Sequence, residues 1–220
     1  MKISRTLAVA LAALTVFAAN FAQAQQSYSN SWSSQSSWNS SWSTGPNGTH
    51  VSGNRQSSQQ SNSTVTNGGR TTSLSQNHSQ RSGFARGVGT NGAYNSQYAQ
   101  QQGRTVLTDQ RRSNSLYGSA TQTRQISNQY NNRQGFTETL GANGYNVAGY
   151  NNRSGSTTTL NDIRGRDMFG RSFGQGTTQT RGFNQSNSFN GGINRYGQPH
   201  LNINRSGGTF NRGRQYGWGG

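Results

Sequence analysis

Large apolar side chains are too scarce in this chain to build a conventional core. After residue 24, Leu, Ile, Val and Phe together account for only 22 of 196 residues. Ser, Asn, Gln, Thr and Gly fill 132 of the 220 positions in the whole chain. A chain with less than about 20% of those four apolar residues usually buries too little surface to offset its loss of conformational entropy. The composition therefore argues against an ordinary globular enzyme and favours a low-complexity protein.

The first 24 residues have the pattern of a cleavable export signal. Lys2 and Arg5 precede an apolar run at 7–19, and Ala-Gln-Ala at 22–24 supplies a small-x-small cleavage site. The apolar run is shorter than the roughly 20 residues that a membrane-spanning helix needs. We therefore expect a signal peptide at 1–24, bacterial in style. The remaining chain is expected to be secreted, at the cell surface or extracellular, without integral membrane association.

The charge after residue 24 is strongly positive and comes from arginine alone. Removing Lys2 and Arg5 from the 20 basic residues leaves 18 Arg against 4 acidic residues, a net charge of +14. Arginine presents a planar fork of donors to phosphate or carboxylate and stacks on aromatic rings. The chain has no cysteine, so neither a disulfide framework nor a thiolate metal site can stabilise it.

Residues 25–83 form a tract of Ser, Gln, Asn and Trp. Trp32, Trp38 and Trp42 lie in this tract without a sustained helical or strand period. The composition predicts a largely disordered spacer carrying aromatic groups that could stack on sugar rings or bases. The alternative is a low-complexity spacer whose only contribution is its length.

Residues 84–220 form an imperfect repeat region rich in Gly, Asn and Arg. The best copies are YNNRQGFTETL at 130–140 and YNNRSGSTTTL at 150–160, which agree at 8 of 11 positions, and related elements lie near 98–107 and 202–210. A spacing of 52 residues links Tyr98 to Tyr150 and links Gly103 to Gly155 and Gly207. A recurring spacing of this kind indicates one structural unit stacked on copies of itself.

The repeats favour strands joined by tight turns. Phe136, Glu138 and Leu140 alternate with threonines, and Asn-Gly pairs at 47, 67, 91, 143 and 190 are typical of hairpin turns. If ordered, the region is expected to be β-solenoid-like or cross-β, with order arising in the monomer or only on assembly; the alternative is a repetitive disordered tail. The predicted assembly residues, where we expect turns or close backbone approaches at the glycines, are Tyr98, Gly103, Tyr130, Gly135, Tyr150, Gly155 and Gly207. Gly48, in the N-terminal tract, is expected to tolerate a side chain.

Catalytic chemistry has few candidate groups in this sequence. The acids are Asp109, Glu138, Asp162 and Asp167, and Arg164 and Arg166 are the obvious ion partners of the last two. No phosphate-binding loop, zinc-binding HExxH motif or serine nucleophile motif is present. We therefore predict that the protein is not an enzyme and uses no cofactor, metal ion or small-molecule substrate.

The C-terminal segment, residues 203–220, combines arginines with aromatic side chains that can stack on bases. Such Arg-Gly segments bind nucleic acid without sequence preference. Behind an export signal, the same chemistry suits extracellular DNA, acidic polysaccharide or cell-envelope phosphates, although spaced arginines can also simply maintain solubility. The candidate polyanion-binding residues are Arg133, Arg153, Arg205, Arg212, Arg214, Tyr216 and Trp218.

In composition the chain resembles the secreted bacterial fibre subunits of the curlin kind. Those subunits also carry an export signal, lack cysteine and are rich in Gly, Asn, Gln and Ser. The resemblance covers the texture of the C-terminal two thirds and no motif, so no residue roles are carried over. It implies self-association through β-strands.

Three functions are therefore open at the sequence level. The first is a secreted structural protein that self-associates into extracellular matrix or surface fibres, as functional amyloids do. The second is a disordered cationic module that binds extracellular polyanions. The third is a cationic antibacterial protein, which fits the charge but lacks an amphipathic stretch.

Overall fold

The computed structural model describes residues 26–219, and the predicted signal peptide at 1–24 lies outside them. These residues form one sheet of eight antiparallel strands in which each strand pairs with its neighbours in the chain. The strands are β1 Gln26–Gly45, β2 Gly48–Asn67, β3 Arg70–Gly89, β4 Gly92–Ser115, β5 Gly118–Gly141, β6 Gly144–Asp167, β7 Ser172–Asn194 and β8 Pro199–Gly219. The prediction of a β-rich fold is confirmed.

Tight turns with glycine at positive φ connect the strands. Five of the seven connections contain only two residues, and the remaining two contain four. Gly48, Gly92 and Gly144 follow three Asn residues at 47, 91 and 143 with φ of 122°, 118° and 107°. Few other residues adopt such angles. The expectation that Gly48 tolerates a side chain is wrong, because a Cβ there would lie 2.1 Å from the Val88 carbonyl oxygen.

The pairing registers divide the strand residues into two faces of different chemistry. Every pair of neighbouring strands is aligned one residue to one, so alternation along each strand assigns each side chain to a face. One face, here called the apolar face, carries 17 of the 20 Leu, Ile, Val and Phe residues in strands. The opposite, polar face carries Val106, Leu160 and Phe210. The sequence thus follows the two-residue period of a strand across the sheet.

The spacing of 52 residues is the length of one hairpin unit. Two strands of 24 residues and two turns of two residues span 52 positions from the start of β4 to the start of β6. Tyr98 and Tyr150 are therefore two strands apart in one row across the sheet, and Gly103 and Gly155 are likewise in one row. The repeats form an antiparallel meander and not the coils of a solenoid, because each unit returns through a hairpin.

The tract predicted to be disordered forms strands β1 to β3. Asn47-Gly48 and Gly68-Gly69, at its first two turns, reverse the chain so that each strand pairs with the one before it. Cross-strand bonds such as Ser41 Oγ to Ser52 Oγ at 2.7 Å then satisfy part of its polar surface. Composition alone missed these strands because their order comes from backbone pairing.

The connections at the two ends of the sheet differ. Leu116-Tyr117 and Met168-Phe169 occupy successive connections at one end, where all four side chains are exposed. Three Asn-Gly turns lie at the other end, between β1 and β2, β3 and β4, and β5 and β6. Residues 26–219 contain no helix that is long and apolar enough to cross a membrane.

Candidate assembly surface

Aromatic rings packed on glycines are a recurrent tertiary contact of the sheet. In eleven places within strands, a ring lies over the glycine that faces it across a strand pair. Glycine lacks a side chain to cover its backbone, and a neighbouring ring fills that space. The pairs are Gly53–Phe84, Gly83–Tyr98, Gly87–Tyr94, Gly103–Tyr130, Gly135–Tyr150, Gly149–Phe189, Gly155–Phe183, Gly165–Phe173, Gly174–Trp218, Gly176–Tyr216 and Gly182–Phe210.

Four tyrosines extend this contact over three strands. The Tyr98 ring crosses Gly83, and its hydroxyl donates to Asn54 Oδ1 at 2.5 Å. The Tyr216 ring crosses Gly176 in the same way and donates to Asp162 Oδ1, which raises the pKa of Tyr216. Tyr94 reaches His50 across Gly87, and Tyr130 reaches His78 across Gly103. Each ring therefore ties together strands that are not hydrogen-bonded to each other.

The predicted repeat residues lie in two rows on opposite faces. Gly103, Tyr130 and Gly155 share a row on the apolar face. Tyr98, Gly135 and Tyr150 share a row on the polar face. All of these glycines lie within strands, facing rings, and their φ angles are not positive. Gly207 lies two residues from the Gly155 row, because Gly155 pairs through Phe183 with Thr209.

The sheet leaves its apolar face uncovered. Among the described residues no hydrophobic side chain is buried, and the accessible area is 16149 Å². A compact monomer of 23.8 kDa would expose about 9,900 Å². Sheets in soluble proteins normally pack an apolar face against a second layer. A second layer or a second molecule is therefore required to cover this face.

Strands β1 and β8 are the two open edges of the sheet. β1 is long and carries no charged residue, and its Trp32, Trp38 and Trp42 are 67%, 68% and 71% exposed. These three residues and Tyr28 occupy even positions and so project from one face, the apolar face. This shared parity is a strand signal that the sequence interpretation missed. Natural proteins usually protect such edges with charge, proline or bulges.

The candidate polyanion-binding residues are divided between the faces. Arg133, Arg212, Arg214, Tyr216 and Trp218 lie on the polar face, the last four along the edge strand β8. Arg153 and Arg205 lie on the apolar face. Arg212 also stands over the Phe210 ring, 5.8 Å from its centroid. The structure thus gathers only the β8 part of the predicted set into one strip.

The four acidic residues all have polar partners. Asp109 accepts two bonds from Arg70, at 2.7 and 2.8 Å, and these hold the pKa of Asp109 below its usual value. Asp162 pairs with Arg164 at 2.8 Å, as expected. Asp167 pairs with Arg171 in the next connection and not with Arg166. Glu138 accepts from Asn95 and Tyr145, both at 3.1 Å. These carboxylates therefore link strands and turns.

The ring contacts predict that Gly103→Val destabilises the sheet. A Cβ at Gly103 would lie 2.4 Å from Tyr130 Cε1, so the ring must leave its place. We expect a loss of roughly 1–3 kcal/mol in the free energy of unfolding, measured by denaturant titration of the circular dichroism signal. Gly208→Val is the matched control, since nothing lies within 4 Å of its Cβ position. Equal stability of the two variants would contradict this packing.

The Arg70–Asp109 pair predicts an acid-dependent part of the stability. Because the folded state lowers the pKa of Asp109, its contribution is complete above the unfolded value of about 3.9 and is lost as pH falls through the folded value. Asp109→Asn should lower stability at pH 6 and flatten its decline as pH falls below the unfolded value. Arg70→Gln should flatten the curve similarly. An unchanged acid profile in both variants would contradict the assignment.

Comparisons with known proteins give no family assignment. No protein-family model matches the chain, and no curated protein or solved structure is significantly similar to it. The function must therefore be argued from the chain's own surfaces.

Proposed function

We propose that this is a secreted structural protein that self-associates into extracellular matrix or cell-surface fibres. The observation that carries the proposal is the absence of a core among residues 26–219, combined with an uncovered apolar face. Stacking of two such faces would bury their Leu, Ile, Val and Phe side chains at the roughly 10 Å separation of packed sheets. The export pattern at 1–24 supports an extracellular location.

The open edges supply the second requirement of a fibre. β1 and β8 each present a row of about twenty residues whose outward backbone groups have no strand partner among residues 26–219. Such an edge is a template for another strand, and pairing of this kind produces the 4.7 Å repeat of cross-β assemblies. Edge pairing would extend the structure along one direction, and face stacking would thicken it.

The purified chain is expected to assemble as its concentration rises. Light scattering should increase with concentration while the sheet signal in circular dichroism is retained, and fibre diffraction should give reflections at about 4.7 and 10 Å. A chain that stays monomeric at millimolar concentration for days, with seeds added, would refute the proposal.

Polyanion binding is a second candidate function, favoured by the strip on β8. Phe210, Arg212, Arg214, Tyr216 and Trp218 occupy five successive even positions on the polar face. A strand places every second residue about 6.6 Å apart, a spacing that allows cations and stacking rings to follow one extended polymer.

This candidate predicts a salt-dependent affinity for duplex DNA. Replacing Arg212 and Arg214 with Gln should reduce the slope of log affinity against log salt by about 1.8, if each arginine neutralises one phosphate. The matched control replaces Arg55 and Arg86, which lie on the apolar face. Affinity that ignores salt, or equal slopes in the two double variants, would exclude the β8 strip as the binding site.

A further inference from the structure

The ring–glycine contacts have a direction. In all eleven pairs the glycine belongs to the earlier strand and the aromatic residue to the next strand in the chain. Gly53 on β2 lies under Phe84 on β3, for example, and Gly174 on β7 lies under Trp218 on β8. Each strand from β3 to β8 therefore rests at least one ring on a glycine of the strand before it.

This direction leaves complementary groups without partners at the two edges. Within the described sheet, the rings of Tyr28, Trp32, Trp38 and Trp42 on β1 have no preceding strand on which to lie. The apolar-face glycines of β8 have no following strand in the same sheet, and no described ring lies within 4 Å of their Cβ positions. Those glycines are Gly207, Gly213, Gly217 and Gly219. The β1 edge therefore has rings with no glycines to lie on, and the β8 edge has glycines with no rings to cover them.

The spacings of the two sets agree in one antiparallel register. Tyr28, Trp32 and Trp38 are separated by four and six residues, and Gly217, Gly213 and Gly207 are separated by the same intervals in reverse. Aligning them pairs Gln26 with Gly219 and Gly45 with His200, so the strands overlap over almost their full length. A shift by two residues either way leaves one ring or none opposite a glycine.

We propose that β8 of one molecule pairs with β1 of a second copy in this register, placing Tyr28, Trp32 and Trp38 over Gly217, Gly213 and Gly207. The inference rests on the proposed function and specifies the contact that joins two copies, here called the joint. An even number of alternating strands makes β1 antiparallel to β8, so the added copy keeps the orientation of the first. Both faces then continue from copy to copy.

The polar face agrees with the same register. The bulky residues of β8 meet small ones, since Trp218, Tyr216, Arg214 and Arg212 fall opposite Ser27, Ser29, Ser31 and Ser33. On the apolar face Trp42 falls opposite Ile203, an apolar cross-strand pair.

Pairing of like edges is less favourable. Two β8 strands would bring together edges that each carry three arginines and no acid, and like charges across a strand pair repel. Two β1 strands contain only one glycine each, at the end of the strand, so no Trp would find a glycine within them. The contact between unlike edges leaves a free edge of each kind on the dimer, and such head-to-tail contacts generate filaments when the rotation between copies does not close a ring.

Engineered cysteines test the register directly, because the chain has none of its own. In the proposed joint Ser34 of one copy faces Asn211 of the next, within the Cα separation that a disulfide requires. Full-length Ser34→Cys and Asn211→Cys chains, mixed and assembled, should give a disulfide-linked heterodimer. The control partner is Gln215→Cys, which lies about 13 Å further along β8. We expect at least about a tenfold higher yield for the first mixture.

The outcomes separate this joint from the general proposal. Fibres that form with equal or greater yield at Gln215, or with no crosslink in either mixture, overturn the register and leave the structural function standing. Failure of the unmodified chain to assemble overturns both. Each cysteine variant is first checked for native sheet content in dilute solution.

A second measurement does not depend on crosslinking. Gly213→Val places a branched side chain where the Trp32 ring should lie, whereas Gly208→Val projects from the polar face opposite Ser37. Neither position contacts a side chain within its own molecule. Gly213→Val should slow filament elongation about tenfold or more, and Gly208→Val should leave it unchanged. Equal elongation rates would overturn the joint.

Discussion

Contact between an aromatic ring and the bare backbone of a facing glycine is the interaction that sets the register of strands β2 to β8, on top of the backbone pairing common to every sheet. A single-layer sheet has no interior, so a side chain can lose solvent only by lying flat on a neighbouring strand. Glycine makes room for that arrangement, as Gly103 does for Tyr130. The contact works only when ring and glycine are directly opposed. It therefore fixes register, which a polar ladder of Ser, Thr and Gln specifies weakly.

Part of this architecture can be predicted from the sequence. The alternation of Phe136, Glu138 and Leu140 with threonines reports the two faces of β5, and Asn47, Asn91 and Asn143 mark three of the turns. These signals are local, because they depend on pleat and on turn geometry. The spacing of 52 was also visible in the sequence. Its meaning as one hairpin unit follows only from the lengths of the strands.

The remainder could not be predicted because it depends on pairing between distant residues. The spacing of 52 singles out Gly155 in the sequence, but its contact with Phe183 follows only from the register. The tryptophans of β1 all occupy even positions and so share a face. Their spacings of six and four residues do not form a regular alternation that the sequence alone would reveal. A low content of apolar residues also suggested disorder in the first tract. That inference assumes that an ordered chain must bury its side chains in a core. Strands β1 to β3 are instead ordered by pairing within a single sheet layer.

The unequal ends of the sheet acquire a meaning once molecules are joined edge to edge. Every copy would place Leu116-Tyr117 and Met168-Phe169 at the same long margin of a ribbon, and three of its Asn-Gly turns, together with Tyr196, at the opposite margin. Within one copy, the two apolar connections are separated by two strands, about 9.6 Å. The two margins of the ribbon would then differ, because only one of them carries two neighbouring connections with paired exposed apolar side chains. Stacking would cover the broad apolar faces but not this margin, so it is here that an assembled fibre would still present apolar side chains to its surroundings.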